Sequence, residues 1–260
     1  MALSHVSCRQ APCHSCIRPD MPVLKPLCSH KRPARRMQAS AASKATATAS
    51  IKADLVKTVT RLNSAQEADD PALQGSLLQL VQRLAAVNPT PRPAESDLIN
   101  GRWALLYTLP DTAKGDVKRS PLNTAMAAAY DFFYKYVPII AGSAVDRKAD
   151  SRQTVKARGQ FQTFDTKRGW VGNQARFEAL GREGVINVDG PAQVTPTQAG
   201  ERITATFKEA ELKWGSLRVP FAIGVFSPSG YIDTLYLDED LRISKGDKGS
   251  IFVARRAEKQ

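Results

Sequence analysis

The spacing of apolar residues changes once along the chain, from a helical period to a strand period. Over residues 51–68 the apolar positions Ile51, Leu55, Val59 and Leu62 recur every three or four residues, which predicts an amphipathic helix. Asp70 and Pro71 then suit the N-cap and first turn of a second helix. Its apolar stripe comprises Leu73, Leu77, Leu80, Leu84 and Val87. The prolines of residues 88–93 end this helix and form a stiff linker, so residues 49–93 are expected to be a helical hairpin and linker.

After the linker, apolar and polar residues alternate with the period of β-strands. Trp103, Leu105, Tyr107 and Leu109 alternate with their neighbours, which predicts a first strand. Further strand-like runs cover residues 153–161, 170–178, 184–188, 202–208, 212–219, 230–237 and 250–255. Turn-forming residues separate most of them, at 166–169, 188–191, 198–200 and 246–249. About eight strands with short connections predict a mainly β domain over residues 94–260, an antiparallel barrel without exposed edges.

A helical insertion is expected between the first two strands, over residues 111–150. Its central part, residues 121–140, places Met126, Tyr130, Phe133, Val137 and Ile140 on one helical face. One interpretation is a helix that packs against the barrel or plugs it. The other is a lid or a membrane-surface element, in which Phe132, Phe133 and Tyr136 enter the lipid headgroup region.

The N-terminal segment differs in composition from the rest of the chain. The net charge is +12, and residues 1–50 supply eight basic side chains against a single acid. This segment is rich in Ser, Ala, Pro and Arg, which is typical of an organelle transit peptide, so residues 1–48 are expected to be disordered and cleaved. Mitochondrial import is the alternative, but the prolines disfavour the helix of such presequences. No run of about 18 apolar residues exists, so no transmembrane segment is expected.

Cysteine and histidine occur only at the N-terminus. All four Cys and all three His precede residue 31. Cleavage would therefore leave no Cys or His nucleophile, base or metal ligand, and we expect no metal, cofactor or disulfide. The acidic run Asp238, Glu239, Asp240 could serve carboxylate chemistry or Ca²⁺, or could be a solvated turn. Nucleic-acid binding is not expected, because no basic-aromatic motif is present.

Two sequence motifs resemble one known family. They are Asn88-Pro89-Thr90-Pro91 with residues 98–108, LINGRWALLYT, and residues 231–253, YIDTLYLDEDLRISKGDKGSIFV. Together they resemble the fibrillin, or plastid lipid-associated protein, family. The resemblance implies a lipocalin-like barrel in the chloroplast, in the stroma, on thylakoids or on plastoglobules. Gly101 and Trp103 are similar to the lipocalin G-x-W, which implies that Trp103 closes one end of the barrel under Arg255 or Arg256.

The function implied is non-enzymatic binding or carriage of an apolar lipid or isoprenoid, with only peripheral contact to a plastid membrane or plastoglobule. We select as possible cavity-lining residues Trp103, Tyr107, Phe177, Phe207, Trp214, Tyr231 and Leu235. Arg242 could hold a charged head group or form a surface ion pair. The alternatives are a scaffold or accessory protein for a plastid lipid or isoprenoid biosynthetic enzyme, and an enzyme that uses carboxylates.

Overall fold

The computed structural model describes residues 34–64, 66–68, 70–110, 155–198, 200–223 and 229–258. The chain forms two compact units, Met1–Ala42 and Ser43–Gln260. Of the first unit, only residues 34–42 are described, as the beginning of a helix. The barrel and the helical segments packed on it belong to the second unit, Ser43–Gln260. The insertion expected at 111–150, with Phe132, Phe133 and Tyr136, lies outside the described residues.

Two helices come first, as expected. Helix α1 spans Ala34–Leu62, so it begins earlier and ends earlier than the sequence pattern indicated. Helix α2 spans Pro71–Ala86, and the carboxylate of Asp70 accepts hydrogen bonds from the backbone N–H groups of Ala72 and Leu73, as an N-cap does. The removal of residues 1–48 on import stays a prediction.

The apolar stripes of both helices are buried. In α1 they are the four residues that the spacing selected, and in α2 Val81 joins the stripe while Val87, at the C-cap, is exposed. They pack together with one outer wall of the barrel. The shared cluster comprises Ile51, Leu55, Val59, Leu62, Leu73, Leu77, Leu80, Val81, Leu84, Tyr107, Leu109, Tyr236, Leu241, Ile243, Ile251 and Val253. The ion pair between Lys52 Nζ and Asp238 Oδ2, at 2.7 Å, joins α1 to the same wall.

Among the described residues, ten antiparallel strands follow a short 3-10 helix, Asp97–Ile99. They are β1 Gly101–Leu109, β2 Val155–Asp165, β3 Trp170–Ala179, β4 Arg182–Thr197, β5 Gly200–Thr206, β6 Glu209–Trp214, β7 Leu217–Ala222, β8 Ser229–Leu237, β9 Leu241–Gly246 and β10 Ile251–Arg256. The order β3-β2-β1-β10-β9-β8-β5-β4 closes on itself because β4 also pairs with β3. The expected antiparallel barrel of eight strands, preceded by two helices, is therefore confirmed.

Strands β6 and β7 extend the barrel wall on one side. Strand β4 pairs with β6 along residues 184–189 and with β5 along residues 192–197. The partner changes at Gly190 and Pro191, where a Cβ on Gly190 would lie 2.1 Å from the carbonyl oxygen of Thr206. The turn predicted at 188–191 is therefore wrong. Glycine is needed there for a close backbone approach, and proline is tolerated where the ladder changes partner.

A second prediction is also wrong, that of one strand over residues 212–219. The chain reverses at Gly215, whose φ of +57° suits the turn between β6 and β7. Other predicted turns are present: residues 166–169 join β2 to β3, and residues 246–249 lie in the β9–β10 hairpin.

The two ends of the barrel differ. The start of β1, the end of β2, the start of β9 and the end of β10 meet at one end, as their registers show. Residues 88–100 approach this end: Thr90 Oγ1 donates to the carbonyl of Leu237 at 2.7 Å, and the backbone N–H of Leu237 donates to Asn88. Strand β1 ends and strand β2 begins at the opposite end. The chain therefore leaves β1 and enters β2 at the end that residues 88–100 do not reach.

Candidate functional site

An apolar floor closes the first end of the barrel around Trp103. The indole is fully buried, and its Nε1 donates to the carbonyl of Ile99 at 2.8 Å. Other buried members of the floor are Ala94, Ile99, Phe164, Val171, Ala192, Ile203, Ala205, Leu237 and Ala254. Ala94 and Ile99 come from the segment between α2 and β1, so this segment helps to close the end of the barrel.

Arg256 is a structural member of this floor. Its guanidinium carbon lies 4.0 Å from the centre of the Trp103 ring, which is the contact that the sequence predicted for Arg255 or Arg256. Its Nε, Nη1 and Nη2 atoms donate to the backbone carbonyls of Glu239, Asn100 and Leu98. Every nitrogen of this guanidinium therefore has a partner, whereas Arg255 is exposed.

Arg242 lies beside the same aromatic floor but has a different environment. Arg242 pairs with Ala254 in the β9–β10 ladder, and Ala254 is part of the floor, so Arg242 faces the barrel interior. It is 2% exposed, so the surface ion pair considered from the sequence does not form. Its guanidinium carbon lies 4.5 Å from the ring centre of Phe164 and 5.4 Å from that of Trp103.

The guanidinium of Arg242 is only partly satisfied. Nη2 donates to Gln162 Oε1 at 2.6 Å, while Nε and Nη1 are buried and have no partner among the described residues. Burial, and secondly the charge of Arg256, lower the pKa of Arg242 to about 9. A group with that pKa is still protonated at neutral pH. The barrel therefore holds a buried positive charge without an acidic partner in the described part of the chain.

An apolar wall continues from the floor along the inner face of β3, β4 and β6. Its buried residues are Ala175, Ile186, Val188 and Ala210, and Phe177, Phe207 and Leu212 pack against them while staying partly exposed. Phe207 also contacts the floor, so it connects the two clusters. The ring of Phe177 covers Gly184, where a Cβ would lie 2.1 Å from the ring. Trp214 pairs with Gly184 and donates from Nε1 to the carbonyl of Ala179 at 3.2 Å.

Three residues selected from the sequence do not line this interior. Tyr107 packs with the helices on the outside, because a bulge between Leu105 and Tyr107 in β1 shifts the alternation of inner and outer side chains by one residue. Leu235 also packs there, because it follows the inward-facing Thr234 in β8. Tyr231 alternates with the inward-facing Ile232 and lies under the guanidinium of Arg202 at 3.6 Å. The structure thus brings together Trp103, Phe177, Phe207, Trp214 and Arg242 on the inner face.

The polar residues near Arg242 inside the barrel were not predicted from the sequence. Gln162 lies on β2 opposite Trp103 and is inside the barrel, as are Ser244 and Thr234, whose hydroxyl oxygens are 3.5 Å apart. Polar residues in a strand are usually assigned to the solvent face. Their inward position could be inferred only by counting alternate residues from Trp103. The bulges change that alternation, so the count does not carry over from one strand to the next.

The acidic run after β8 is a structural turn. Asp238 Oδ1 accepts from the backbone N–H groups of Asp240 and Leu241, and Oδ2 accepts from Tyr236 and Lys52. Although desolvation alone would raise it, the pKa of Asp238 is lowered by the hydrogen bonds from Lys52, Tyr236 and the backbone. Burial, and secondly the bond to Asp238, raise the pKa of Tyr236. This carboxylate holds the turn and α1, and no group of three metal-ligating side chains occurs among the described residues.

A polar groove of about 600 Å³ lies on the outer face of β3, β4, β6 and β7. Trp170 borders it, and Asp189, Glu209 and Glu211 are among its lining residues. Burial raises the pKa of Asp189, and the charges of Glu209 and Glu211 add to the effect.

None of the helices in the described ranges is both long and apolar enough to cross a membrane.

Comparison with known proteins agrees with this architecture. The family model PAP_fibrillin matches residues 49–130 and 142–255. The chain is 25% identical to the probable plastid-lipid-associated protein 3 of Arabidopsis thaliana, over 70% of this chain and 52% of that protein. It is 26% identical to the chromoplast-specific carotenoid-associated protein of Cucumis sativus, over 69% and 59% respectively. Plastoglobulin-1 of Pisum sativum is 26% identical, over 70% and 54%.

The chain thus spans a little over half the length of these curated relatives. No solved structure matches it. The matched relatives are chloroplast or chromoplast proteins by name, and the region matched by the family model includes residues 49–62 of α1, all of α2, Trp103 and both sequence motifs. The chain therefore belongs to the plastid lipid-associated protein, or fibrillin, family of the chloroplast.

Proposed function

We propose that this protein binds one apolar lipid or isoprenoid inside its barrel and carries it at thylakoid or plastoglobule surfaces, without catalysis. One observation carries the proposal: above a closed floor, the apolar inner wall is only partly covered by the chain's own side chains. Phe177, Phe207 and Leu212 face the interior and are partly exposed. An eight-stranded barrel can hold one small ligand where side chains do not fill it.

The arrangement suits a carrier in three respects. The end with the floor is closed by Trp103, Arg256 and residues 88–100, so a ligand would enter from the other end. That end is where the chain leaves β1 and enters β2, the two strands between which a lid or membrane element is expected from the sequence. In the acidic run that could serve carboxylate chemistry, Asp238 is bonded to the backbone N–H of Leu241 and to Lys52, so it stabilises the fold. Named relatives are associated with plastid lipid, with carotenoid and with plastoglobules.

Binding of a neutral apolar probe to the delipidated protein tests the proposal. We expect 12-(1-pyrenyl)dodecanol to bind in a one-to-one ratio, measured by pyrene fluorescence in the absence of vesicles. Phe177→Ser should weaken binding about tenfold or more, because the probe loses an aromatic wall residue. Leu180→Ser is the matched control, since Leu180 is 72% exposed in the β3–β4 turn and should leave binding unchanged.

Absence of probe binding in the wild type would contradict the proposal. Equal effects of the Phe177 and Leu180 variants would place the probe outside the barrel. Thermal midpoints of both variants must be measured alongside, because Phe177 also contributes to the wall cluster.

The alternative function, a scaffold or accessory protein for a plastid biosynthetic enzyme, is supported by a different observation. The helical pair exposes three large apolar side chains, Val56, Leu78 and Val87, at 46%, 41% and 47%. Scaffolding predicts that a Val56→Glu, Leu78→Glu double variant loses association with its enzyme in a native complex while retaining probe binding. Loss of neither property would reject this alternative.

A further inference from the structure

Arg242 places a positive charge in the barrel interior that no acidic side chain of the described residues neutralises. A buried charge without a partner destabilises a folded protein, so such groups are normally paired. Arg242 forms one hydrogen bond, to Gln162, and its Nε and Nη1 have none among the described residues. No acidic side chain of the described residues forms an ion pair with it.

Arg256 shows how this fold satisfies a guanidinium that has a structural role. It stacks on the same Trp103 ring, at 4.0 Å, and donates to three backbone carbonyls. The contact of Arg242 with Trp103 is longer, at 5.4 Å, and its Nε and Nη1 reach no carbonyl in the described part of the chain. The floor is thus already closed by one arginine, and the second is not needed for that task.

The surroundings of Arg242 suit the polar end of an amphiphile. On the same inner face the next residue of β9 is Ser244, which is fully buried and lies beside Thr234. Below Arg242 are the rings of Phe164 and Trp103, and on the other wall are the apolar residues around Phe177 and Phe207. The cation of Arg242, the amide of Gln162 and two hydroxyl groups therefore lie near the base of an interior whose opposite wall is apolar.

We infer that Arg242 binds an anionic head group, a carboxylate or a phosphate, of a long-chain lipid that enters the barrel head first. This inference rests on the proposed lipid-binding function and names the class of ligand. The acidic oxygens accept from Nε and Nη1 of Arg242, and the hydroxyls of Ser244 and Thr234 provide further donors. The hydrocarbon chain extends along the inner wall of β3, β4 and β6 toward the end where β1 ends. Neutral lipids of the same length bind less tightly, because they leave the guanidinium unpaired.

Matched probes with one tail and different head groups test the inference. Affinities of the delipidated protein are measured at neutral pH for 12-(1-pyrenyl)dodecanoic acid and 12-(1-pyrenyl)dodecanol. We expect the acid to bind about 10- to 100-fold more tightly, since a hydrogen bond to a charged group contributes that factor. Competition by dodecanoate and by dodecyl phosphate then shows whether the site prefers a carboxylate or a phosphate.

Variants of Arg242 locate the effect. Arg242→Met should lower the affinity for the acid to that for the alcohol and leave the affinity for the alcohol unchanged or higher. Arg242→Lys should retain part of the preference. Arg168→Gln removes the same charge from the surface, where Arg168 is 86% exposed, and should change neither affinity. In the ligand-free protein, Arg242→Met should leave the thermal midpoint unchanged or raise it, because it removes an uncompensated buried charge.

The outcomes separate the two proposals. If the wild type binds acid and alcohol equally, the inference is wrong while lipid binding stands. The same conclusion follows if the preference survives in Arg242→Met, or if that variant loses stability without any change in preference. If neither probe binds the wild type, the proposed function itself fails. The comparison in the wild type needs no variant, so poor folding of Arg242→Met would not prevent a decision.

Discussion

Truncation of Trp103 tests whether the floor described above holds the barrel together. Trp103 is fully buried, donates to the carbonyl of Ile99 at 2.8 Å, and supports Arg256 at 4.0 Å. Replacing a buried tryptophan by alanine destabilises proteins by about 3–5 kcal/mol. Trp103→Phe keeps most of the ring but leaves the Ile99 carbonyl without its donor, for a loss of about 1–3 kcal/mol.

Urea unfolding followed by far-ultraviolet circular dichroism measures both losses, because a fluorescence signal would change with the removed indole. Trp170→Ala is the matched control. That indole is 36% exposed at the start of β3, so its removal should reduce the free energy of unfolding by only about 1 kcal/mol. Equal losses for Trp103→Ala and Trp170→Ala would refute the role of Trp103 in the floor. A loss below about 1.5 kcal/mol for Trp103→Ala would do the same.

Three further predictions concern the helices, the acidic turn and the insertion. Leu55→Ala should lower the free energy of unfolding by about 2–5 kcal/mol in urea titrations, since Leu55 is fully buried between α1 and the barrel; a loss no larger than at an exposed α1 position would show that the helix does not dock. Asp238 has a folded pKa below its ordinary value of 3.8, so its stabilisation is present above pH 4 and is lost as the pH falls through the folded pKa. The loss in thermal midpoint between pH 5 and pH 3 should therefore be smaller in Asp238→Asn, and an unchanged acid profile would contradict the assignment. Replacing Phe132, Phe133 and Tyr136 together by Ser should abolish flotation with plastid-lipid vesicles if the insertion binds membranes; retained flotation with lost probe uptake would identify a lid instead.

The helices and the existence of most strands could be predicted from local sequence patterns, because long-range contacts did not change the conformation there. The buried stripe of α1 and the N-cap Asp70 were read from residue spacing and capping chemistry alone. The position of Trp103 under Arg255 or Arg256 was implied by the family resemblance and not by periodicity, and the structure selects Arg256. Strand existence was predictable because turn residues such as those at 166–169 interrupt the alternation.

The remaining features depend on contacts between residues far apart in the chain. Tyr107 seemed to share a face with Trp103, but a bulge between them turns it toward the helices. Gly190 and Pro191 resemble a turn locally, and only the crossing backbone of Thr206 explains them inside a strand. The environment of Arg242 was equally inaccessible, because its partner Gln162 is 80 residues away on another strand.

The pairing of β1 with β10 has a consequence for how the chain folds. Leu109 pairs with Ile251 and Trp103 with Arg256, so the barrel closes between segments about 150 residues apart. The other strands of the sheet lie between β1 and its second neighbour along the chain, and the donors of Arg256 that fix residues 98–100 lie in that neighbour, β10. Such non-local pairing makes folding slow and leaves apolar strands unprotected in the meantime. Apolar strand surface therefore stays exposed until β10 has paired with β1, and removal of residues 251–256 should prevent closure of the barrel.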